Sequence, residues 1–149
     1  FHDPRGTLVE IGMGTGPNMR YYEGLNVVGV EPNEESHSYA YENANRNGVK
    51  SIECVRGFGE SLPLGDASVD TVVSTLVMCT VDDVERTLAE VRRVLRPGGA
   101  YLFLDHVAAP PGTPLRTMQE MLNPLNRAAY EGCRLTRDPE AAVRAAFGD

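Results

Sequence analysis

Positive charge, cysteine and long apolar runs are all scarce in this chain, and each shortage closes off a class of function. The 149 residues carry 14 Lys and Arg against 21 Asp and Glu, a formal net charge of −7. A phosphate backbone is gripped mainly by clustered cations, so nucleic acid is not an expected partner. The same acidity is compatible with a cationic small ligand. Only three cysteines occur, Cys54, Cys79 and Cys133, an odd number set far apart. Neither a disulfide framework nor a zinc-ligand spacing follows, so the expectation is reduced thiols in a cytoplasmic protein that holds no metal. No apolar run approaches the roughly 18 residues of a membrane span, and no signal-peptide pattern opens the chain. Internal repeats and low-complexity segments are missing too. What remains is one domain, residues 1–149, of ordinary composition (42% hydrophobic, 23% charged) and large enough to bury a core.

The organising stretch is Thr7-Leu8-Val9-Glu10-Ile11-Gly12-Met13-Gly14-Thr15-Gly16-Pro17-Asn18. Its β-branched and aliphatic start reads as a strand buried on both faces. Alternating glycines then give a backbone that can bend sharply and approach a ligand. A nucleotide-type ligand over the end of this strand is the natural reading. The dinucleotide fingerprint G-x-G-x-x-G needs its third glycine where Pro17 stands, which speaks against a nicotinamide dinucleotide. The pattern present is E-x-G-x-G-x-G, Glu10 to Gly16. A tight strand-to-helix turn without any ligand is the plain alternative.

The rest of the chain alternates strands with helices. Asn26–Val30 makes a second strand with Glu31 at its carboxyl end. There a carboxylate can offer two oxygens to the two vicinal hydroxyls of a ribose. Asn33 caps a helix that runs to about Asn47 and stops at Gly48. Ser51–Val55 is a third strand, and the loop after it brings Phe58, Gly59 and Glu60 to the edge of the same pocket. A fourth strand, Thr71–Leu76, leads to Ser74, Thr75, Leu76 and Cys79 at the pocket mouth. Asp82 and Glu85 look like a capping box, with Val84, Leu88, Val91 and Leu95 as the buried stripe of the helix that follows. Arg92, Arg93 and Arg96 near its end complement the helix dipole. Arg96-Pro97-Gly98-Gly99 then turns the chain into a fifth strand, Ala100–Leu104. Asp105 and His106 end that strand on the ligand-binding rim. Met118, Met121, Leu122 and Leu125 share one face of a helix interrupted near Pro124, a core surface or pocket wall. Asp138 and Pro139 open a last helix. Five such alternations give a doubly wound α/β parallel sheet of order 3-2-1-4-5.

The motif at 10–16, Glu31, Gly57 to Pro63, the Ser68-Val69-Asp70 run and Arg96 to Gly99 together resemble the type 11 group of class I S-adenosylmethionine-dependent methyltransferases. The match covers nearly the whole chain. A narrower resemblance lies in Thr75-Leu76-Val77-Met78-Cys79, Arg92 to Gly99, Asp105 to Ala109 and Glu131 to Arg137. These segments are similar to the methyltransferase-like family seven proteins, the alkyl thiol S-methyltransferases. The resemblance implies a Rossmann-like fold and S-adenosylmethionine as methyl donor. It implies cofactor contacts from Glu10, Gly12, Gly14, Gly16, Asn18, Glu31, Pro32, Gly59, Glu60, Thr75 and Leu76. Asp105 and His106 would carry any acid–base work on a small-molecule acceptor, and the narrower resemblance implies an alkyl thiol. A non-catalytic or degenerate cofactor-binding module stays open as the alternative. Three departures stand out. Phe58 replaces an Asp of the type 11 group. The last two strands of the seven-stranded fold and the N-terminal covering segment are not found, so the domain reads as partial at both ends, with an exposed sheet edge. The resemblance implies no membrane contact by this piece and leaves membrane association open for the full-length protein, since the animal members are membrane-anchored.

Overall fold

The computed structural model describes residues 6–129 and 132–148. The expected tail at Phe1 to Gly6 and the resemblance at Glu131 therefore lie, Gly6 apart, outside the described residues. Five strands, β1 (Thr7–Ile11), β2 (Asn26–Val30), β3 (Ser51–Val55), β4 (Val69–Thr75) and β5 (Leu95–Leu104), form one sheet of order β3-β2-β1-β4-β5. All four pairings are parallel, as the order 3-2-1-4-5 requires of right-handed crossovers.

Both faces of the sheet are covered, which is why β1 alternates less than it is simply apolar. On one side α1 (His37–Arg46) and the 3-10 turn Pro17–Tyr21, which contributes Met19, pack onto Leu8, Met13 and Val27. On the other, α2 (Val84–Val94) and α4 (Pro139–Phe147) cover Val9, Ile11, Val30 and Val72. Glycine matters inside β2 as well. A Cβ on Gly29 would fall 1.8 Å from Met13 Sδ, so the elbow after β1 settles onto the sheet only because that position is bare.

Several local expectations shift by a residue or a turn. The cap of α2 is Asp83, whose carboxylate accepts from Arg86 N at 2.9 Å, and not Asp82. The buried stripe of α2 is Thr87, Leu88, Val91 and Val94, while Leu95 has already left the helix and pairs with Val69 as the first residue of β5. Arg96 to Gly99 thus lie within β5, where the register slips between Val69 and Thr71. An irregular ladder accommodates Pro97, which has no N–H to donate. Arg96 anchors the irregularity through Asp70, at 2.7 and 2.8 Å to its two carboxylate oxygens.

The largest departure is α3, Pro114–Ala129, which continues through Pro124 without interruption. Side chains on either side of the proline hold it to the chain ahead. Asn123 Oδ1 accepts from Leu135 N and Asn126 Nδ2 donates to Cys133 O, both at 2.9 Å. No residue of α3 is buried. Met121 (74% exposed) and Leu125 (70%) face outward, so the methionine-bearing face is neither core nor pocket wall here. As expected, β5 is an edge strand. Among the described residues no helix is long and apolar enough to cross a membrane.

Candidate active site

At the end of β1 the chain leaves the sheet as Gly12 N donates to Val30 O (2.8 Å) and Gly16 N to Met13 O (2.9 Å). Gly12, Gly14 and Gly16 all have positive φ (65°, 52° and 77°), a region that side chains disfavour. Their surroundings differ. A Cβ at Gly12 would meet Val77 Cγ2 at 2.6 Å, and one at Gly16 would meet the Ala40 backbone at 3.1 Å. At Gly14 no atom of the described residues, its chain neighbours apart, lies within 4 Å of that position, and the residue borders an open cavity of about 1000 Å³.

Glu31, at the tip of β2, reaches this elbow. Its Oε2 accepts from Gly14 N at 3.0 Å and its Oε1 from Asn33 N at 2.9 Å. The carboxylate is thereby aimed by two backbone donors at the cavity it helps to line. Pro32, Gly59, Glu60, Thr75 and Leu76 line the same cavity, together with Gly12 and Gly14. Glu60 arrives with its carboxylate already engaged: Oε1 accepts from Asp82 N (2.7 Å) and Asp83 N (3.2 Å), fastening the loop before α2. Phe58 stands at the mouth, more than half exposed.

Three nominated residues lie beneath the cavity. Gly16 is covered by α1, as its contacts above show. Glu10 is buried under the elbow, and Asn18 Nδ2 joins it to the rim by donating to Glu10 Oε1 (2.6 Å) and Thr75 Oγ1 (3.0 Å). Glu10 Oε2 is buried with no hydrogen-bond partner among the described residues. Burial pushes this carboxyl up to about 7. Asn18 offsets part of that rise, and so does the nearby Tyr22 hydroxyl, without meeting hydrogen-bond geometry at Oε2. A smaller cavity, about 650 Å³, is lined by Asn18 and shares Thr75 with the larger one, but contains neither the glycines of the elbow nor Glu31.

Asp105 and His106 end β5 on the expected rim, yet neither lines the cavity. The Asp105 side chain is 1% exposed. Its Oδ2 accepts from Met78 N (2.8 Å) and its Oδ1 from His106 N (3.0 Å), so it ties β5 to the segment after β4. The imidazole of His106 turns to Cys133, with Nε2 3.0 Å from Sγ. Cys133 in turn donates to Cys79 Sγ at 3.3 Å. Burial pushes the Cys79 thiol up to about 12, with Cys133 and Asp105 adding to the rise. Sequence spacing gave no hint of this cluster, because its members come from three separate segments.

Other cavity features were not legible either. Leu76 is a non-glycine residue at φ 57° whose N–H is held by Leu104 O at 2.8 Å, leaving its side chain exposed over the cavity. A bulky residue held in that region marks local strain. Arg134 and Arg137 fasten the 132–137 segment to the chain after β4. Arg134 Nη1 donates to Val81 O at 2.8 Å, and Arg137 donates to Met78 O at 2.7 Å and to Val81 O.

Comparison with known proteins agrees with this fold. A family model described as a methyltransferase domain matches residues 9–103. Thiol S-methyltransferase TMT1A of Homo sapiens is 40% identical over 153 residues, covering 99% of this chain and 63% of that protein. Thiol S-methyltransferase TMT1B of Rattus norvegicus is 38% identical over 135 residues, covering 89% of this chain and 55% of that one. The crystal structure of the YcgJ protein of Bacillus subtilis superposes with a TM-score of 0.77 at 28% identity, covering 95% of this chain and 61% of that chain. This chain thus spans a little under two thirds, or about half, of its curated relatives (63% and 55%). On fold, motif and likeness together, the chain belongs to the methyltransferase-domain family.

Proposed function

We propose that this chain binds S-adenosylmethionine over the β1 elbow and supports transfer of its methyl group to a small alkyl thiol. One observation carries the reading: Glu31 and Gly14 meet at 3.0 Å on the wall of a single cavity. The residues present suit the donor molecule. Gly14 leaves room where a Cβ would stand, and Glu31 offers acceptor lone pairs beyond the two already used. The orphaned oxygen of Glu10 supplies latent negative charge beneath.

When bound, S-adenosylmethionine supplies an electrophilic methyl group on a sulfonium. In the proposed arrangement Glu31 holds the ribose hydroxyls and Pro32 shapes the turn beside them. Gly59, Glu60 and Phe58 border the nucleobase. Gly12 and Gly14 let the backbone pass the amino acid end, with Thr75 and Leu76 opposite. Glu10 and Asn18 act from below. A free thiol of pKa about 8.5 is roughly 3% thiolate at neutral pH. Complete ionisation is then worth only about 2 kcal/mol, so a strong base is dispensable. Orientation of the two reactants is worth several kcal/mol more. Asp105 is accordingly assigned a positioning role through Met78 and His106, and no proton transfer is assigned to it. Three free thiols suit a reducing intracellular compartment.

The test is mass-spectrometric detection of a methyl thioether from S-adenosylmethionine and a small alkyl thiol, alongside calorimetric titration of the cofactor. Product at a rate above the thiol's spontaneous methylation supports the reading. Binding without product places the chain among non-catalytic modules, and absence of binding overturns it altogether. Gly14→Ala provides a sharper check, because its new methyl meets only the ligand. We expect affinity to fall about five- to tenfold, while strain at positive φ costs about 1 kcal/mol of stability. Undiminished affinity in Gly14→Ala would move the donor off the elbow.

A further inference from the structure

The geometry points to a zinc(II) site formed by Cys79, His106 and Cys133, at the carboxyl end of β5 and separate from the S-adenosylmethionine contacts. This inference goes beyond the proposed methyl transfer and holds whether or not that reaction occurs. The three ligand atoms, two Sγ and one ring nitrogen, all lie within 4.8 Å of one another. Two thiolates and an imidazole are a donor set that favours zinc, and three protein ligands leave a fourth position for water or another small ligand.

The distances suit an ion that replaces shared protons. Tetrahedral angles with ordinary zinc bond lengths set S···S at about 3.8 Å and S···N at about 3.6 Å. The cluster shows 3.3 Å between Cys133 and Cys79, and 3.0 Å between Cys133 and His106. Opening each gap by about half an ångström is within the reach of side-chain rotation. The segments bearing the ligands are fixed from outside. Arg134, next to Cys133, and Arg137 bind the carbonyls of the 78–82 stretch that carries Cys79. The cluster also adjoins the cavity wall, since Thr80, Gly132 and Arg134 line it.

An independent observation lies on the far side of the imidazole. His106 Nδ1 is buried and has no hydrogen-bond partner among the described residues. A carboxylate oxygen, Asp105 Oδ1, lies 3.9 Å away on a side chain that is itself almost fully buried. A histidine that ligates through Nε2 carries its proton on Nδ1, and metal-bound histidines commonly direct that proton to a carboxylate. The unfilled Nδ1, the buried Asp105 and the two thiols are therefore parts of one arrangement.

The experiment uses the reduced chain, stripped of metal by a chelator and titrated with zinc in competition with a chromophoric chelator. Cobalt(II) is then substituted to look for thiolate-to-metal charge-transfer absorption. One equivalent of zinc per chain and thiolate absorption are expected. Cys133→Ser and His106→Ala, both at partly exposed positions, should each weaken zinc binding at least a hundredfold. Asp105→Asn should weaken it roughly ten- to hundredfold, and Cys54→Ser should leave it unchanged. Zinc retention by Cys133→Ser equal to that of the parent overturns the site. So does a Cys79–Cys133 disulfide that forms in air as fast with excess zinc as without it. Binding of S-adenosylmethionine, measured on the same samples, separates failure of this site from failure of the methyl-transfer reading.

Discussion

Glu31→Ala is expected to weaken S-adenosylmethionine binding ten- to hundredfold, about 1.4 to 2.7 kcal/mol. The carboxylate is fixed before any ligand arrives, by Gly14 N at 3.0 Å and Asn33 N at 2.9 Å, so binding need not order it. Charge-assisted bonds to two sugar hydroxyls then add roughly 1.5–3 kcal/mol each before desolvation is subtracted. Alanine removes those acceptors and also strands two backbone N–H groups, one of them on the elbow itself. Glu31→Gln keeps one acceptor oxygen and should lose less. Calorimetry on the three proteins, with thermal unfolding of each in the absence of ligand, separates lost contacts from lost fold. Equal affinity for all three would remove the ribose from Glu31.

The second large effect concerns stability and pH. Glu10 is buried beneath the elbow with one oxygen unpartnered, and burial raises its pKa from 4.5 to about 7. The folded state therefore prefers the protonated acid. Its contribution to stability is complete below the unfolded value of 4.5 and is lost as pH rises through about 7. The full difference is about 3 kcal/mol, of which about 2 kcal/mol falls between roughly pH 5.5 and pH 8.5. Glu10→Gln cannot ionise and keeps an oxygen for Asn18, so it should lack that loss. Urea unfolding of both proteins at the two pH values measures it directly. The parent should lose about 2 kcal/mol more than Glu10→Gln on going to the higher pH. Parallel pH dependence in the two would mean that Glu10 is ionised throughout.

What the sequence discloses is what physics makes local. The β1 elbow follows from a short strand with three aliphatic residues, Leu8, Val9 and Ile11, and three spaced glycines. Glu31 follows from its place one strand on, at the tip of a neighbour that must be parallel. The strand order needs only the alternation of elements and the hand of their crossovers. Contacts between distant segments left no such trace. The Cys79–Cys133 approach joins residues 54 apart, and His106 meets Cys133 across 27. Asp105 reads as a candidate acid or base because of its rim position, whereas its buried bond to Met78 N is set by how the chain after β4 folds back. The cap of α2 is Asp83 where the spacing pointed to Asp82, and the Glu60 carboxylate, more than 20 residues earlier, holds both of their backbone amides. The amphipathic pattern of α3 identified an apolar face correctly, but periodicity does not say what that face meets, and here it meets solvent.

The most direct measurement is a crystal structure of this chain with S-adenosylhomocysteine. The account predicts the ligand along the elbow, its two ribose hydroxyls about 3 Å from the Glu31 carboxylate oxygens and its chain passing Gly14. A ligand seated in the smaller cavity beside Asp70 and Arg96, with Glu31 bonded only to its own backbone neighbours, would contradict it.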